Sequence, residues 1–327
     1  MSRKHYNIII KNPEFRKSLS LDKKAIKKRF KLAYDETFQT SVPGTAAHVI
    51  FHSKGLMKNK TVLDLGCGAG RLSLYAAKYA KTVTGIDYID SAIDYAKKFA
   101  KLCNIKNVKF FTQDIDSFIA AQYGVILISE VLQHVQNPLR TLQKCNKLLT
   151  KNGWVVINTP NFYNFRGTVW STLQNLFKLP MSLMFTFHPS NDEMNLLSKK
   201  AGFQLVKTVG MSYDWAWAEW GIEDMKRRIY LATKDAHLEN IADFKSMNKW
   251  LSLSLKPNKQ FLEYLIRKRI VKKRPFFTPL KIPKTSNSKI KKYLDDGNIA
   301  INPYYCDIAP FNNMGAGSIY FLQKIPS

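Results

Sequence analysis

Glycines and acidic residues are concentrated between Thr61 and Asp87, in the segment TVLDLGCGAGRLSLYAAKYAKTVTGID. An apolar run is followed by three glycines in five residues, a helical pattern and a second apolar run that stops at Asp87. Glycine permits positive φ and lets the main chain approach a ligand closely. The free N–H groups at the start of the following helix then face that ligand. This order of strand, glycine turn, helix, strand and acid is typical of a nucleotide-binding βαβ unit.

The spacing of the glycines and the positions of the acids indicate which nucleotide is bound. The spacing is G-x-G-x-G, and Arg71 stands where a dinucleotide-binding motif has its third glycine. Asp64 suits a cationic amino group better than a pyrophosphate, and Asp87 is placed to accept hydrogen bonds from ribose hydroxyls. S-adenosylmethionine (SAM) fits these features better than NAD does. The segment also resembles motif I of the class I SAM-dependent methyltransferases, V/I-L-D-L/V-G-C-G-x-G, at every position.

This resemblance implies a set of cofactor contacts after the later strands. In that family an acid at the end of the third strand lies against the adenine amino group, and Asp114 matches it. The backbone near Ser129, at the end of the fourth strand, would flank the cofactor. The following E-V-L-Q-H-V is similar to the E-x-L-x-H-V/L of many small-molecule methyltransferases. The cofactor-binding residues implied are Asp64, Gly66, Cys67, Gly68, Gly70, Asp87, Tyr88, Asp114, Ile115, Ser129 and Glu130.

The residues that would act on the acceptor are harder to name. Methyl transfer from a sulfonium is an in-line displacement that needs mainly alignment, so we expect no metal site. A general base helps only when the acceptor carries a proton, as a hydroxyl does. His134 and His188 are candidates for that base, and packing is the alternative for His134. The ubiquinone-pathway O-methyltransferases, which the chain resembles, have a histidine well ahead of the Glu-Leu that opens the next helix. His188 departs from this pattern because it lies only five residues before Glu193. The candidate substrate residues are Tyr34, for which packing is again the alternative, and Tyr213, Trp215 and Trp217.

Alternating strand and helix patterns predict the fold that positions these residues. Five strand–helix repeats between Thr61 and Thr159 predict a parallel sheet. Further strands are predicted at Phe203 to Val209 and, antiparallel, at Gly317 to Gln323. The fold class is therefore α/β, a Rossmann-like, doubly wound seven-stranded sheet with a mostly helical insertion between strands six and seven. We expect an N-terminal helical cap (1–55), a SAM-binding core (56–212), an inserted basic and aromatic subdomain (213–312) and a final core strand (313–327).

An apolar segment follows the fifth strand, from Asn161 to Phe187. Its apolar stripe at helical spacing suits a membrane surface, a substrate lid or ordinary core packing. Over residues 45–213 the chain resembles the ubiquinone-pathway O-methyltransferases, which carry an apolar insert at this point and act on substrates with isoprenoid tails. The resemblance implies methyl transfer to a small-molecule acceptor, a hydroxyl of an apolar, aromatic or lipid-linked compound.

The net charge of +27 suggests a different class of partner. Basic residues are dense from Arg16 to Lys31 and from Lys256 to Lys292. Such charge attracts RNA or an anionic membrane face, and a lysine-rich composition is the neutral explanation. An RNA methyltransferase is therefore the alternative function. Against it, Ser129-Glu130-Val131-Leu132 stands where amino-methylating enzymes have N-P-P-Y/F, and no RNA-binding motif is visible.

Cysteine usage and hydropathy indicate the compartment. The four cysteines are scattered, without C-x-x-C and without histidines at metal-ligand spacing, which argues against a disulfide framework or a zinc site. No apolar run reaches the roughly 18 residues that span a bilayer, and the N-terminus lacks a signal-peptide pattern. We expect a cytoplasmic protein, with peripheral contact to an anionic membrane through 165–187 and the basic runs as a further option.

Overall fold

One twisted sheet lies between two layers of helices in the computed structural model, which describes residues 44–119, 122–177, 189–235, 240, 242–276, 280–281, 290, 293–294 and 302–326. The helices are α1 (Thr45–Met57), α2 (Arg71–Ala76), α3 (Asp90–Leu102), α4 (Pro138–Leu148), α5 (Phe165–Phe177), α6 (Asn191–Lys200), α7 (Tyr213–Trp217), α8 (Glu219–Asp235) and α9 (Phe244–Arg267). The strands are β1 (Thr61–Leu65), β2 (Thr82–Asp87), β3 (Val108–Thr112), β4 (Tyr123–Ser129), β5 (Leu149–Pro160), β6 (Phe203–Met211), β7 (Lys272–Lys273), β8 (Tyr304–Cys306) and β9 (Gly317–Lys324). Tyr34 and His188 lie outside the described residues.

The strands form one sheet in the order β3-β2-β1-β4-β5-β9-β6-β8-β7. Strands β1 to β5 pair in parallel, and β9 lies antiparallel between β5 and β6. The predicted count of seven strands is wrong, because the chain between β6 and β9 adds β8 beside β6 and β7 beside β8. These added strands are only three and two residues long, too short to show a strand period in the sequence.

Local capping signals set the starts of two helices beside the sheet. Before α4, the Asn137 side chain accepts the Arg140 N–H at 3.0 Å, and proline occupies the first helical position. Before α6, the Glu193 N–H donates to Ser190 Oγ at 3.2 Å, and the Ser190 N–H donates to Glu193 Oε2 at 2.7 Å. The capping box predicted for Ser190 is therefore confirmed.

Two apolar clusters cover opposite faces of the sheet, because successive strand residues point to opposite sides. On one face, β-strand residues such as Val62 and Val156 pack beneath α1, α2 and α3. On the other, neighbours such as Leu63 and Ile157 pack beneath α4 and α6. The parallel strands bring the carboxyl ends of β1, β2, β4 and β5 to one edge of the sheet, which is where ligands bind in folds of this kind.

The chain from 212 to 316 connects β6 to β9 and contacts the core at two separate places. Near its start, Tyr213 packs with Leu262 and Leu265 of α9 in a small apolar cluster of its own. Farther along, Leu280, Ile290, Tyr293 and Leu294 belong to the main core cluster instead. The segment is thus anchored both above β6 and against the helices on one face of the sheet.

Trp170, on the apolar side of α5, is packed against the protein. Trp170 is only 3% exposed, and the Arg166 guanidinium lies 4.3 Å from the centre of its ring. Helix α5 contacts both α7 and α8. Of the three roles considered for this segment, packing against the protein is therefore the one that Trp170 has, and a buried Trp170 does not anchor α5 in a membrane surface. Within the described ranges, no helix combines the length and the apolar character needed to cross a bilayer.

Candidate active site

The glycine turn between β1 and α2 contains three residues with left-handed backbone. The φ angles are 69° at Gly66, 53° at Gly68 and 80° at Gly70, a region that side chains disfavour. A Cβ added to Gly66 would lie 2.5 Å from Cγ2 of Val131. The turn therefore packs directly against the chain that follows β4, and glycine is required there for space as well as for conformation.

Asp87 holds the turn from the end of β2. Its Oδ2 accepts the Gly68 N–H at 2.9 Å, and its Oδ1 accepts the Ile89 N–H at 2.9 Å. Next to it, the Cys67 N–H donates to the carbonyl oxygen of Ile86, also at 2.9 Å. Each carboxylate oxygen has more than one lone pair, so Asp87 can hold the turn and still accept hydrogen bonds from a pair of ligand hydroxyls.

Asp64 lies near the end of β1 and is 1% exposed. The hydroxyl of Ser73, in the first turn of α2, donates to Asp64 Oδ2 at 2.5 Å. Burial raises the pKa of Asp64 to about 7; the charge of Asp87 adds to this rise, and the hydrogen bond from Ser73 opposes it. A cation placed beside this carboxyl would favour its ionised form.

Asp114, Ile115 and Tyr88 lie just beyond the ends of β3 and β2, and each is half-buried. Tyr88 directly follows Asp87, and Asp114 follows β3 by two residues. The Gln113 N–H donates to the carbonyl oxygen of Asp87 at 2.8 Å, which ties the chain after β3 to the end of β2. The neighbouring strands β1, β2 and β3 therefore all lead into acids at the same edge of the sheet.

Glu130 follows β4 with a φ of 58°, which is uncommon for a residue with a side chain. Its carboxyl turns toward β5. In the amide orientation that pairs its polar atoms, Asn158 Nδ2 donates to Glu130 Oε1 at 2.8 Å and to Ser129 Oγ at 3.2 Å. Gln133 Nε2 donates to Oε2 at 3.2 Å. Burial raises the pKa of Glu130 to about 8, and the hydrogen bond from Gln133 opposes that rise.

His134 ends a single turn of 3-10 helix, Leu132–His134, directly after Glu130 and Val131. Its backbone N–H donates to the carbonyl oxygen of Val131 at 2.8 Å, and its side chain is half-buried. The structure therefore brings this histidine to the ligand edge with Glu130, while the second predicted base falls outside the described residues.

The predicted substrate aromatics on α7 make contacts within the protein. The Tyr213 hydroxyl donates to the carbonyl oxygen of Phe311, and Trp217 Nε1 donates to that of Met314 at 2.9 Å. Trp215 is largely buried. These hydrogen bonds join α7 to the chain that leads into β9, so Tyr213 and Trp217 have structural partners whether or not a substrate contacts them.

Two residues that organise the site were missed from the sequence. Ser73 positions the Asp64 carboxyl, and Asn158 binds both Ser129 and Glu130. Ser73 is a single polar residue between Leu72 and Leu74, and Asn158 is the first polar residue after the apolar run 154–157. Because a buried polar group needs a hydrogen-bonding partner, such isolated polar positions are the signal that could have identified them.

The residues around the turn fit SAM. The turn has no room for a Cβ at Gly66, so a ligand can approach its backbone closely. The carboxylates of Asp64, Asp87 and Asp114 are hydrogen-bond acceptors, and SAM carries donors of the matching kind, an ammonium, ribose hydroxyls and an adenine amino group. A pyrophosphate would instead meet like charge from the acids at the ends of β1 and β2.

Comparison with known proteins points to the same region. Residues 56–210 match the model of a family described as a methyltransferase domain. Among solved structures, the YcgJ protein of Bacillus subtilis is similar with a TM-score of 0.47 and 14% identity, covering 86% of this chain and 99% of that one.

Two curated relatives match at higher identity. A ubiquinone biosynthesis O-methyltransferase of Coxiella burnetii (strain Dugway 5J108-111) is 32% identical over 165 residues, which cover 48% of this chain and 69% of that protein. The protein of the same name from Nitrosospira multiformis is 32% identical over 166 residues, or 48% and 68% of the two chains. The chain therefore belongs to the class I SAM-dependent methyltransferases, in the family that contains the ubiquinone biosynthesis O-methyltransferases.

Proposed function

We propose that this methyltransferase acts on a hydroxyl oxygen of a small molecule. The observation that carries the proposal is the Glu130 carboxyl, which two amide side chains hold at the end of β4, next to the residue that packs on Gly66. The relatives named for O-methylation support the choice of oxygen. When bound, SAM supplies an electrophilic methyl group, and the chain's own residues align the acceptor and take its proton.

On the cofactor side, each acid has a separate role in this proposal. Asp64 binds the ammonium, Asp87 the ribose hydroxyls and Asp114 the adenine amino group. The backbone of the glycine turn, with Cys67, lies against the methionine part of the cofactor. Tyr88, Ile115 and Ser129 complete the walls of the pocket, because they adjoin these acids at the ends of β2, β3 and β4.

On the acceptor side, this proposal makes Glu130 the proton acceptor, in place of the cofactor contact that the sequence resemblance implied. Bound SAM would supply the methyl group to the acceptor oxygen and leave as S-adenosylhomocysteine, with the carbon–sulfur electron pair on sulfur, and Glu130 would take the hydroxyl proton. With a pKa of about 8, Glu130 becomes ionised across neutral pH, so the rate should rise with pH up to about that value. His134, at the same edge, is the second candidate for the base.

We further propose that the acceptor is apolar, aromatic or lipid-linked and that the subdomain 213–312 selects it. Met211 at the end of β6 pairs with Gly317 at the start of β9. The chain between them thus leaves and returns at the ligand edge. In this proposal 56–212 and 313–327 form the catalytic core, and Tyr213, Trp215 and Trp217 fix the subdomain above it. Of the helical cap predicted for 1–55, residues 1–43 lie outside the described residues. Helix α5 has no membrane contact in this proposal because Trp170 is buried.

Incubating the protein with labelled SAM and a cell extract, then separating lipid, small-molecule, protein and RNA fractions, tests the acceptor class. We expect label in the lipid or small-molecule fraction. Label in RNA would replace this proposal with the one that the charge of +27 suggests.

The role of Glu130 is tested by Glu130→Gln. Loss of a proton acceptor should slow methyl transfer by about 100-fold or more, with little change in the affinity for S-adenosylhomocysteine (SAH). Glu263→Gln, on the exposed side of α9, is the matched control and should keep the wild-type rate. Equal rates for wild type and Glu130→Gln would remove Glu130 from the mechanism.

A further inference from the structure

Three residues of the segment between β6 and β9, Ile290, Tyr293 and Leu294, lie against the helix that follows the glycine turn. Ile290, Tyr293 and Leu294 are all buried, and they join the core cluster that contains residues of α2 and α3. The matched methyltransferase domain ends at residue 210, so this contact is made by a part of the chain outside that match. It links the subdomain to the cofactor side of the core.

Tyr293 makes three contacts there. Its hydroxyl oxygen accepts the backbone N–H of Arg71 at 3.3 Å. The Arg71 guanidinium carbon lies 4.2 Å from the centre of the Tyr293 ring. The Tyr293 ring also packs on the ring of Phe99 in α3, with 5.2 Å between the two ring centres. One residue later, the carbonyl oxygen of Leu294 accepts the Tyr75 hydroxyl at 2.5 Å. Tyr293 and Leu294 thus contact both the backbone of α2, at Arg71, and its side chains, at Arg71 and Tyr75.

The position of Arg71 gives these contacts a consequence for the cofactor. Arg71 directly follows Gly70, the last residue of the turn, and it is the first residue of α2. The Gly70 N–H donates back to the carbonyl oxygen of Cys67 at 2.9 Å. A displacement of Arg71 would therefore move the turn itself. A Cβ added to Gly70 would lie 2.8 Å from Cζ of Phe110, so the Phe110 ring packs close to the turn on its other side.

We propose that Tyr293 is a positioning residue for SAM, which keeps the glycine turn in its binding conformation by holding Arg71. Docking of Ile290, Tyr293 and Leu294 and binding of the cofactor are then coupled, and each strengthens the other by the same factor. This inference rests on SAM binding and not on the identity of the acceptor. Burial raises the pKa of Tyr293, so its hydroxyl stays neutral and available as an acceptor for the Arg71 N–H.

The test is the affinity for SAH, measured by calorimetry at a temperature where circular dichroism shows every variant fully folded. Tyr293→Ala removes both the ring and the hydroxyl, and we expect it to weaken SAH binding by about 10-fold or more. Tyr293→Phe keeps the ring over Arg71 and should recover part of that loss. Tyr264→Ala, an exposed tyrosine of α9, is the control and should bind SAH as the wild type does. Wild-type affinity in the folded Tyr293→Ala and Tyr293→Phe proteins would overturn the proposal.

A second measurement separates positioning from a purely structural role. By reciprocity, SAH should slow amide hydrogen exchange in 290–294 of the wild type, and in Tyr293→Phe this protection should shrink together with the affinity. A structural residue would lower the melting temperature of the variants and leave the SAH-dependent protection unchanged, which would contradict coupling. If the acceptor assignment fails while SAH binding and its dependence on Tyr293 persist, only the proposed acceptor is lost.

Discussion

The amide of Gly68 and the carboxylate of Asp87, nineteen residues apart, are joined by a hydrogen bond of 2.9 Å. The second carboxylate oxygen accepts the Ile89 N–H at the same distance. The acid at the end of β2 thus sets the shape of the turn after β1 before any ligand is bound. Two acceptor oxygens are needed for this, and only a carboxylate supplies both.

Asp87→Asn should therefore weaken cofactor binding more than loss of a single ligand contact would. The new NH2 group must face one of two N–H donors, so one hydrogen bond to a charged acceptor is lost, worth about 1.5–3 kcal/mol. We expect SAH affinity to fall by about 10-fold or more. Asp94→Asn makes the same charge change on the exposed side of α3 and should leave affinity unaltered. Equal affinities of the two variants would show that Asp87 does not hold the turn.

The affinity for SAM should depend on pH through Asp64. Its pKa is raised to about 7 mainly by burial, and the cofactor ammonium favours the ionised form. The association constant should rise by about 10-fold per pH unit below pH 7 and level off above it. Calorimetric titrations of SAH between pH 5.5 and 8 check this. In Asp64→Asn the binding should be weaker and should lack this rise; an unchanged pH profile in the variant would exclude Asp64 as its source.

The Asp64 carboxyl should make the ligand-free protein less stable as pH rises, although it makes SAM binding stronger over the same range. Between about pH 4 and pH 7 the folded state keeps a proton on Asp64 that the unfolded chain releases. Asp64 then lowers the free energy of unfolding by about 1.4 kcal/mol per pH unit as pH rises. Relative to wild type, Asp64→Asn should gain stability across this range and then level off, as measured by urea unfolding. A constant difference between the two proteins at all pH values would contradict a raised pKa.

Gly66→Ala should abolish SAH binding and destabilise the fold. The alanine must adopt positive φ, which costs about 1–2 kcal/mol, and its methyl group would overlap the Val131 side chain. Adding Val131→Ala should restore the part of the stability lost to overlap, but not the part lost to φ. Gly55→Ala is the matched control: its Cβ meets nothing within 4 Å, and within α1 it should stabilise by about 0.5–1 kcal/mol. If Gly66→Ala bound SAH and unfolded as the wild type does, the geometry of the turn would be refuted.

The buried ion pair between Arg166 and Asp224, at 2.9 Å, should stabilise the contact between α5 and α8. Arg166→Met leaves Asp224 charged in a nearly inaccessible position, at a cost of about 3–5 kcal/mol. Lys259→Met breaks a comparable pair with Glu219 at the surface, where both side chains are about half exposed, and should cost less than about 1 kcal/mol. If Arg166→Met and Lys259→Met lowered the free energy of unfolding by similar amounts, burial of the Arg166–Asp224 pair would be contradicted.

Sequence patterns alone predicted the parts of the fold that depend on local chemistry. Apolar runs bounded by glycines and acids marked β1 to β6, and Ser190 marked the start of α6, because capping and strand periodicity involve residues close in the chain. The count of strands failed at β7 and β8, which pair only because the chain between β6 and β9 folds back beside the sheet.

In the candidate site, too, some residues were predicted from the sequence, and others were identified only from the tertiary structure. The acids Asp64 and Asp87 and the glycine turn were predicted from spacing, since a βαβ unit brings them together within one local motif. Only the tertiary structure decided that Trp170 is buried, that Asn158 reaches Glu130, and that Tyr293 lies over Arg71. These contacts join residues far apart in sequence, and no local period or capping rule specifies them. They arise from the packing of whole elements, where burial forces each polar group to find a partner.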